Sequence, residues 1–141
     1  MSCPLCDSPG GRVLWRDDFC RMVLADEPDY PGFLRVILNA HVKEMTDLPA
    51  VDQVALMRVV FAAEAALRDV LAPDKVNLAS LGNLVPHLHW HVIPRFADDP
   101  HFPNPVWGAR LRDTPHAAPA ALESQLAAAL TLRLGRARET E

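Results

Sequence analysis

Three cysteines in 141 residues are too few for a disulfide-stapled scaffold. A chain of this length buries enough apolar surface to fold without staples. No uninterrupted apolar run approaches the roughly 20 residues of a membrane span, which excludes a transmembrane helix. Positive charge is not in excess either. The formal net charge of −4 leaves no bulk basic field of the kind that draws a protein to nucleic-acid polymers. The first residues, Met1-Ser2-Cys3-Pro4-Leu5-Cys6, lack the basic start and long apolar core of a secretory signal. These absences together predict a cytoplasmic protein with neither a membrane nor a nucleic-acid polymer as partner. Thiols are reduced in that compartment, so Cys3 and Cys6 are a metal-binding pair or an incidental one, not a disulfide.

What is present reads as a globular α+β domain. Val13-Leu14-Trp15 and the run from Phe19 to Ala25 are paired strands around an Asp17-Asp18 turn. The segment from Asp26 to Gly32 is dense in turn formers, and Phe33 to Leu38 is the next strand. Thr46-Asp47-Leu48-Pro49 has the form of a helix start. Leu56, Val60, Ala63, Leu67 and Val70 then recur at helical spacing until Ala72-Pro73-Asp74. Val76 to Leu81 and Val85 to Arg95 are two more strands around Gly82-Asn83. The order predicts a mainly antiparallel sheet of about five strands with one long helix packed on a face. The proline-rich stretch from Ala97 to Pro119 is expected to be extended and to follow the surface. Leu122, Leu126 and Leu130 define a short C-terminal helix that Gly135 ends, and residues 136–141 are expected to fray. We divide the chain into a domain over 1–110 and an extension over 111–141 that carries this helix.

His87-Leu88-His89-Trp90-His91-Val92-Ile93 is the most informative stretch. Alternate side chains of a strand share a face, so three imidazoles line one side while Leu88, Trp90 and Val92 line the other. Three readings compete for that row: solvent-facing polar residues, a three-histidine metal centre, or a nucleophilic histidine flanked by helpers. Same-face neighbours on a strand stand roughly 6.5–7 Å apart, so three in a straight row converge poorly on one ion. The nucleophile reading suits the row best.

The motif resembles the His-x-His-x-His signature of the histidine-triad (HIT) superfamily of nucleotide hydrolases and transferases. The run from Pro31-Gly32 to His41 is similar to the family's Pro-Gly strand, and Thr46-Asp47-Leu48 to its helix entry. Asn77, Gly82 and Asn83 precede the triad and Pro94-Arg95 follow it as in relatives, so the likeness covers about residues 3–96. Pro105-Val106-Trp107-Gly108 looks like a segment of bacterial diadenosine-polyphosphate-hydrolase-like members. The chain departs from the pattern at Leu38, where a proline is frequent, and at Leu84, where several members carry Ser or Thr.

The resemblance implies a HIT-like fold and a hydrolase that cleaves at the α-phosphate of dinucleoside polyphosphates or nucleoside phosphoramidates. His89 would be the nucleophile and form a nucleotidyl-histidine, with His91 donating to the α-phosphate. Asp26 would contact the ribose, although a turn-capping carboxylate explains it equally. Asn77 and Asn83 would be polar contacts to the substrate. The alternatives are a nucleotidyltransferase using the same histidine, and a non-enzymatic nucleotide-binding regulator. Relatives also imply a structural Zn2+ on Cys3, Cys6, His41 and His87, with no cofactor needed for the chemistry itself. The competing reading of the thiol pair is an unstructured terminus. An adenine-containing substrate and a homodimer are further implications. Trp107 either closes over the nucleotide or anchors the tail, Cys20 is an inert core residue, and His101 and His116 have no assigned role.

Overall fold

A computed structural model describes residues 2–114 and 116–137. In chain order the elements are a helical turn α1 (Pro4–Asp7), strands β1 (Arg12–Arg16), β2 (Cys20–Leu24) and β3 (Leu34–Leu38), a 3-10 turn (Met45–Asp47) and the long helix α2 (Ala50–Leu71). Strands β4 (Lys75–Ala79) and β5 (His89–Arg95) and helix α3 (Leu122–Leu134) complete it. The five strands form one sheet in the order β1-β2-β3-β5-β4, with every neighbouring pair antiparallel. This is the expected α+β architecture. Among the described residues no helix is long and apolar enough to cross a membrane.

Strand alternation divides the sheet into two faces. Cys20, Met22, Leu34, Val36, Leu38 and Val92 point to one side, where the α2 stripe of Leu56, Val59, Val60, Ala63, Ala66 and Leu67 covers them. Cys20 is fully buried there, and burial, followed by the nearby Asp17 charge, pushes its thiol up to about 12. It is the inert core residue its alternation predicted. The opposite face carries Arg21, Arg35, Ile37, His89 and His91, as the register shows: Arg21 opposes Ile37, Ile37 opposes His89 and Arg35 opposes His91. Gly32 lets the chain turn back close to the end of α2. It sits at φ +92°, and a Cβ there would stand 2.6 Å from Leu71 Cδ1.

Two expectations need correction. The histidine strand does not begin at Val85 but at His89. His87 N–H turns back to Val85 O at 2.9 Å, and Leu88 is gripped between Leu38 N–H and Val42 O, so the chain joins the sheet only after a tight turn. His87 therefore precedes the strand that carries its two companions. The segment after Phe96 is not simply extended either. It folds through successive turns over the buried carboxylate of Asp99, which is 1% exposed.

Helix α3 belongs to the main core. Leu122, Leu126 and Leu130 are buried against α2 and β1, and Gly135 ends the helix while its carbonyl accepts from Trp15 Nε1 at 3.1 Å. Part of the stretch expected to fray, residues 138–141, lies outside the described residues. Leu126 is fully enclosed and Leu132 is 88% exposed on the same helix. Leu126→Ala should therefore lose about 3 kcal/mol of stability, whereas Leu132→Ala should stay within about 0.5 kcal/mol. Denaturant midpoints of the two variants check this, and equal effects would contradict the packing of α3.

Candidate active site and metal centre

The three histidines are buried, but they are wired differently. His89 Nδ1–H donates to the main-chain oxygen of His87 at 2.6 Å. Its proton is thereby fixed on Nδ1, and Nε2 keeps a bare lone pair. His91 is set the other way. Arg35 Nε donates to His91 Nδ1 at 3.4 Å, so the imidazole proton lies on Nε2. Burial, and then the neighbouring His89 and Arg35, lower the His91 pKa to about 4, so the ring is neutral at pH 7. His87 Nε2–H donates to Leu38 O at 2.6 Å, which leaves Nδ1 bare. Burial pushes this imidazole below its ordinary value despite the carbonyl partner.

His89 and His91 open onto a cleft of about 440 Å³, within the range of small-ligand sites. Leu5, Arg35, Asn83, Leu84 and Trp107 also line it. The rings of His89 and His91 meet edge to face at 5.0 Å, and Trp107 approaches His91 at 5.1 Å. Of the other residues singled out in the sequence, Asn83 is exposed on the cleft wall. Asp26 is exposed in the loop after β2 and is not among the residues lining the cleft. Asn77 lies farther along the same sheet face, opposite Ile93, where its Oδ1 accepts from Arg95 Nη1 at 2.8 Å.

His87 points away from that cleft toward the N-terminus. Its Nδ1 is 3.4 Å from Cys3 Sγ, 3.5 Å from Cys6 Sγ and 3.3 Å from His41 Nδ1, and Cys6 Sγ is 3.4 Å from His41 Nδ1. One ligand atom from each of the four residues falls within 4.8 Å of the others. Donors about 2.0–2.3 Å from a tetrahedral ion stand roughly 3.3–3.8 Å from one another, so the set is shaped for one metal ion. The bare Nδ1 of His87 is a further fit, since a ligating imidazole nitrogen must carry no proton. The N-terminal Cys3–Cys6 pair and the two distant histidines thus converge, as the resemblance implied.

Sequence reasoning missed a polar centre beyond His91. Arg95 is 2% exposed and donates from Nε to Asp99 Oδ2 at 2.8 Å and from Nη2 to Asn104 O at 2.7 Å. Asp99 also accepts from the backbone N–H groups of Phe96, His101 and Phe102, and from Tyr30 Oη–H at 3.2 Å. Burial alone would raise the Asp99 pKa, but Arg95 and the three amides outweigh it and hold it at about 2. The only sequence signal was the Asp99-Pro100 turn pair, which is too common to single out.

With this geometry in hand, the comparisons with known proteins agree with one another. The family model described as the HIT domain matches residues 10–98. A Mycobacterium tuberculosis protein named AP-4-A phosphorylase is 31% identical over 115 residues, which cover 74% of this chain and 59% of that protein. The chain thus spans less than two thirds of that relative's length. A histidine triad protein from Bradyrhizobium japonicum superposes with a TM-score of 0.72 at 30% identity, covering 89% of this chain and 92% of the other. One from Marinobacter aquaeolei VT8 gives 0.74 at 27% identity with the same coverage.

The Arg95–Asp99 pair carries a pH signature. The Asp99 pKa is lowered on folding from the usual aspartate value of about 3.9 to about 2. Its stabilisation is therefore complete above pH ~4 and lost as the pH falls through ~2, a contribution of about 2–3 kcal/mol. Asp99→Asn should cost about 3–5 kcal/mol at pH 7, because Arg95 is left buried without its counter-charge. It should also flatten the loss of stability between pH 4 and 2. Urea unfolding across that range tests both, and an unchanged acid limb would count against the pairing.

Proposed function

The chain belongs to the HIT domain family, and on that premise we propose that it is a nucleotide hydrolase acting at the α-phosphate through His89. The observation that carries this reading is the hydrogen bond from His89 Nδ1 to the His87 carbonyl, which leaves an unprotonated Nε2 beside the cleft. That lone pair attacks the α-phosphorus, the Nε2–P bond forms and the bond to the leaving group breaks with its electron pair. A nucleoside polyphosphate leaves as the anion, and an amine leaves after taking a proton from water. The positive charge on the nucleotidyl-imidazole is stabilised by the same His87 carbonyl. Water then cleaves the P–N bond, its proton passes to solvent, and nucleoside monophosphate and neutral His89 are restored.

His91 Nε2–H donates to the phosphoryl oxygens as charge grows on them. Asn83 contacts the leaving-group side, whereas Asn77 and Asp26, which the resemblance made contacts to the phosphate and ribose, lie outside the residues that line the cleft. The name of the M. tuberculosis relative supports a second reading, in which inorganic phosphate accepts the nucleotidyl group instead of water. We read Cys3, Cys6, His41 and His87 as ligands of a structural Zn2+, consistent with their two-thiol, two-imidazole chemistry. When bound, the metal fixes the N-terminal turn and the His87 ring, and no chemical step passes through it. A homodimer is supported by the exposed Val51, Val54 and Phe61 of α2 and by β4 at the sheet edge.

Two tests follow. Incubating the protein with adenosine phosphoramidate or diadenosine tetraphosphate and quenching with acid should leave a nucleotidyl mass on the peptide containing His89. His89→Ala should form no adduct and turn over at least about a thousandfold more slowly. Equal turnover by the two proteins would defeat the proposal, and adenosine diphosphate appearing with added phosphate would select the transferase reading. Metal analysis of purified protein should find about one zinc per chain. Cys3→Ser should lose it, with a melting temperature lower by roughly 5–10 °C. Metal-free wild-type protein that cannot be loaded with zinc would rule the centre out.

A further inference from the structure

Trp107 occupies an unusual position for a tryptophan in a proline-rich segment. Its side chain is not packed into either apolar core and is 52% exposed, yet it lines the cleft beside His91. Nothing in its own immediate sequence explains why it should be held there. The loop beneath it does. Arg95 Nη2–H holds Asn104 O, Asn104 Nδ2–H holds Ala109 O, and Gly108 N–H closes onto Pro105 O at 2.8 Å. Farther along, Leu111 and Arg112 donate their N–H groups to Pro100 O, and Arg112 Nη1–H bridges Asp99 O and Phe102 O. The stretch from Asp99 to Arg112 is therefore a closed loop tied down on the buried Arg95–Asp99 pair, and Trp107 is at its tip.

We propose that this loop is a preformed wall of the nucleotide cleft, with Trp107 stacking on the nucleobase and the Arg95–Asp99 pair as the element that positions it. The inference rests on the reading of the cleft as a nucleotide site. A half-exposed indole next to a phosphate-binding imidazole offers a π-face at a place where a base attached to that phosphate can lie. The loop is ordered by its own hydrogen bonds before ligand arrives, so little conformational freedom is lost on binding.

Calorimetric titration with AMP and with ribose 5-phosphate separates a contact to the base from a contact to the rest of the nucleotide. Trp107→Ala should weaken AMP roughly 10- to 100-fold, Trp107→Phe should recover most of that loss, and ribose 5-phosphate should bind all three proteins alike. AMP affinity unchanged in Trp107→Ala, or an equal loss for both ligands, would overturn the stacking role. AMP should also quench the part of the tryptophan emission that Trp107→Phe removes. For the positioning role, Asp99→Asn should weaken AMP at least about threefold and reduce that quench. If Asp99→Asn does not fold, Arg112→Gln loosens the loop from its surface and should act in the same direction. Wild-type affinity and quench in the folded variant would overturn the positioning role. A wild-type protein that binds no AMP removes the nucleotide reading and this inference together. Trp107-dependent AMP binding without a His89 adduct removes the catalytic reading alone.

Discussion

The main-chain oxygen of His87 decides where the proton of His89 resides, and it is available only because the sheet stops where it does. In the register of β3 with β5, Ile37 opposes His89, so Asn39 would come next opposite His87. That pair makes no ladder bond: Leu38 N–H donates to Leu88 O at 3.1 Å, whereas Asn39 N–H faces β2 and donates to Phe19 O at 2.9 Å. The His87 carbonyl faces the β4 side instead, and β4 has already ended at Ala79, opposite His91, so this oxygen is left out of the ladder and can accept from His89. The opposite tautomer would leave the buried His87 carbonyl without a donor and facing a bare Nδ1, which disfavours it by on the order of 1–3 kcal/mol. The end of β4 at Ala79 thus decides the His89 tautomer.

The same residue joins two structures. Its carbonyl serves the cleft while its ring, held by Leu38 O, turns toward Cys3, Cys6 and His41. The N-terminal turn that supplies both thiols is held from a second side by Arg21. This arginine donates to the carbonyls of Leu5, Ser8 and Pro9 and to Asn39 Oδ1. Gly10 permits the close approach: it adopts φ +87°, and a Cβ there would lie 2.8 Å from both Ile37 Cδ1 and Leu5 Cδ2. The result brings Leu5, between the two cysteines, into the wall of the cleft. The four-residue α1 has no buried residue of its own, so its position depends on these tethers and not on helix stability.

Most of the fold was legible because it follows periodic patterns. The α2 stripe, the alternation of Cys20, Met22 and Leu24, and the leucines of α3 each announce a period that packing then uses. The alternation of His89 and His91 was legible for the same reason, whereas the set Cys3, Cys6, His41 and His87 was implied by the resemblance to relatives, and the four residues do converge. Features built from single long-range hydrogen bonds were not. Arg95 reads as a strand-end cation, and Asp99 as an ordinary turn residue before a proline. Their pairing needs three backbone amides to aim at one carboxylate, and no spacing rule encodes that. The place of Trp107 was open in the sequence because it depends on that hidden pair.

Charge sets the final constraint on the cleft. Arg35 is the one Lys or Arg among the described residues that line it, and it is already engaged with His91 and lies 3.8 Å from Glu27. His91 is neutral at pH 7. On the proposed function, a phosphate in this cleft is therefore not held by a cluster of positive charges. The site relies on oriented dipoles: an Nε2–H fixed on one imidazole and a lone pair fixed on the next. Such groups need no reorganisation when charge develops, and in a partly enclosed cleft their fields are weakly screened. Orientation has to be supplied by the group that each ring is bonded to. In this chain the His87 carbonyl does so for His89 and Arg35 does so for His91.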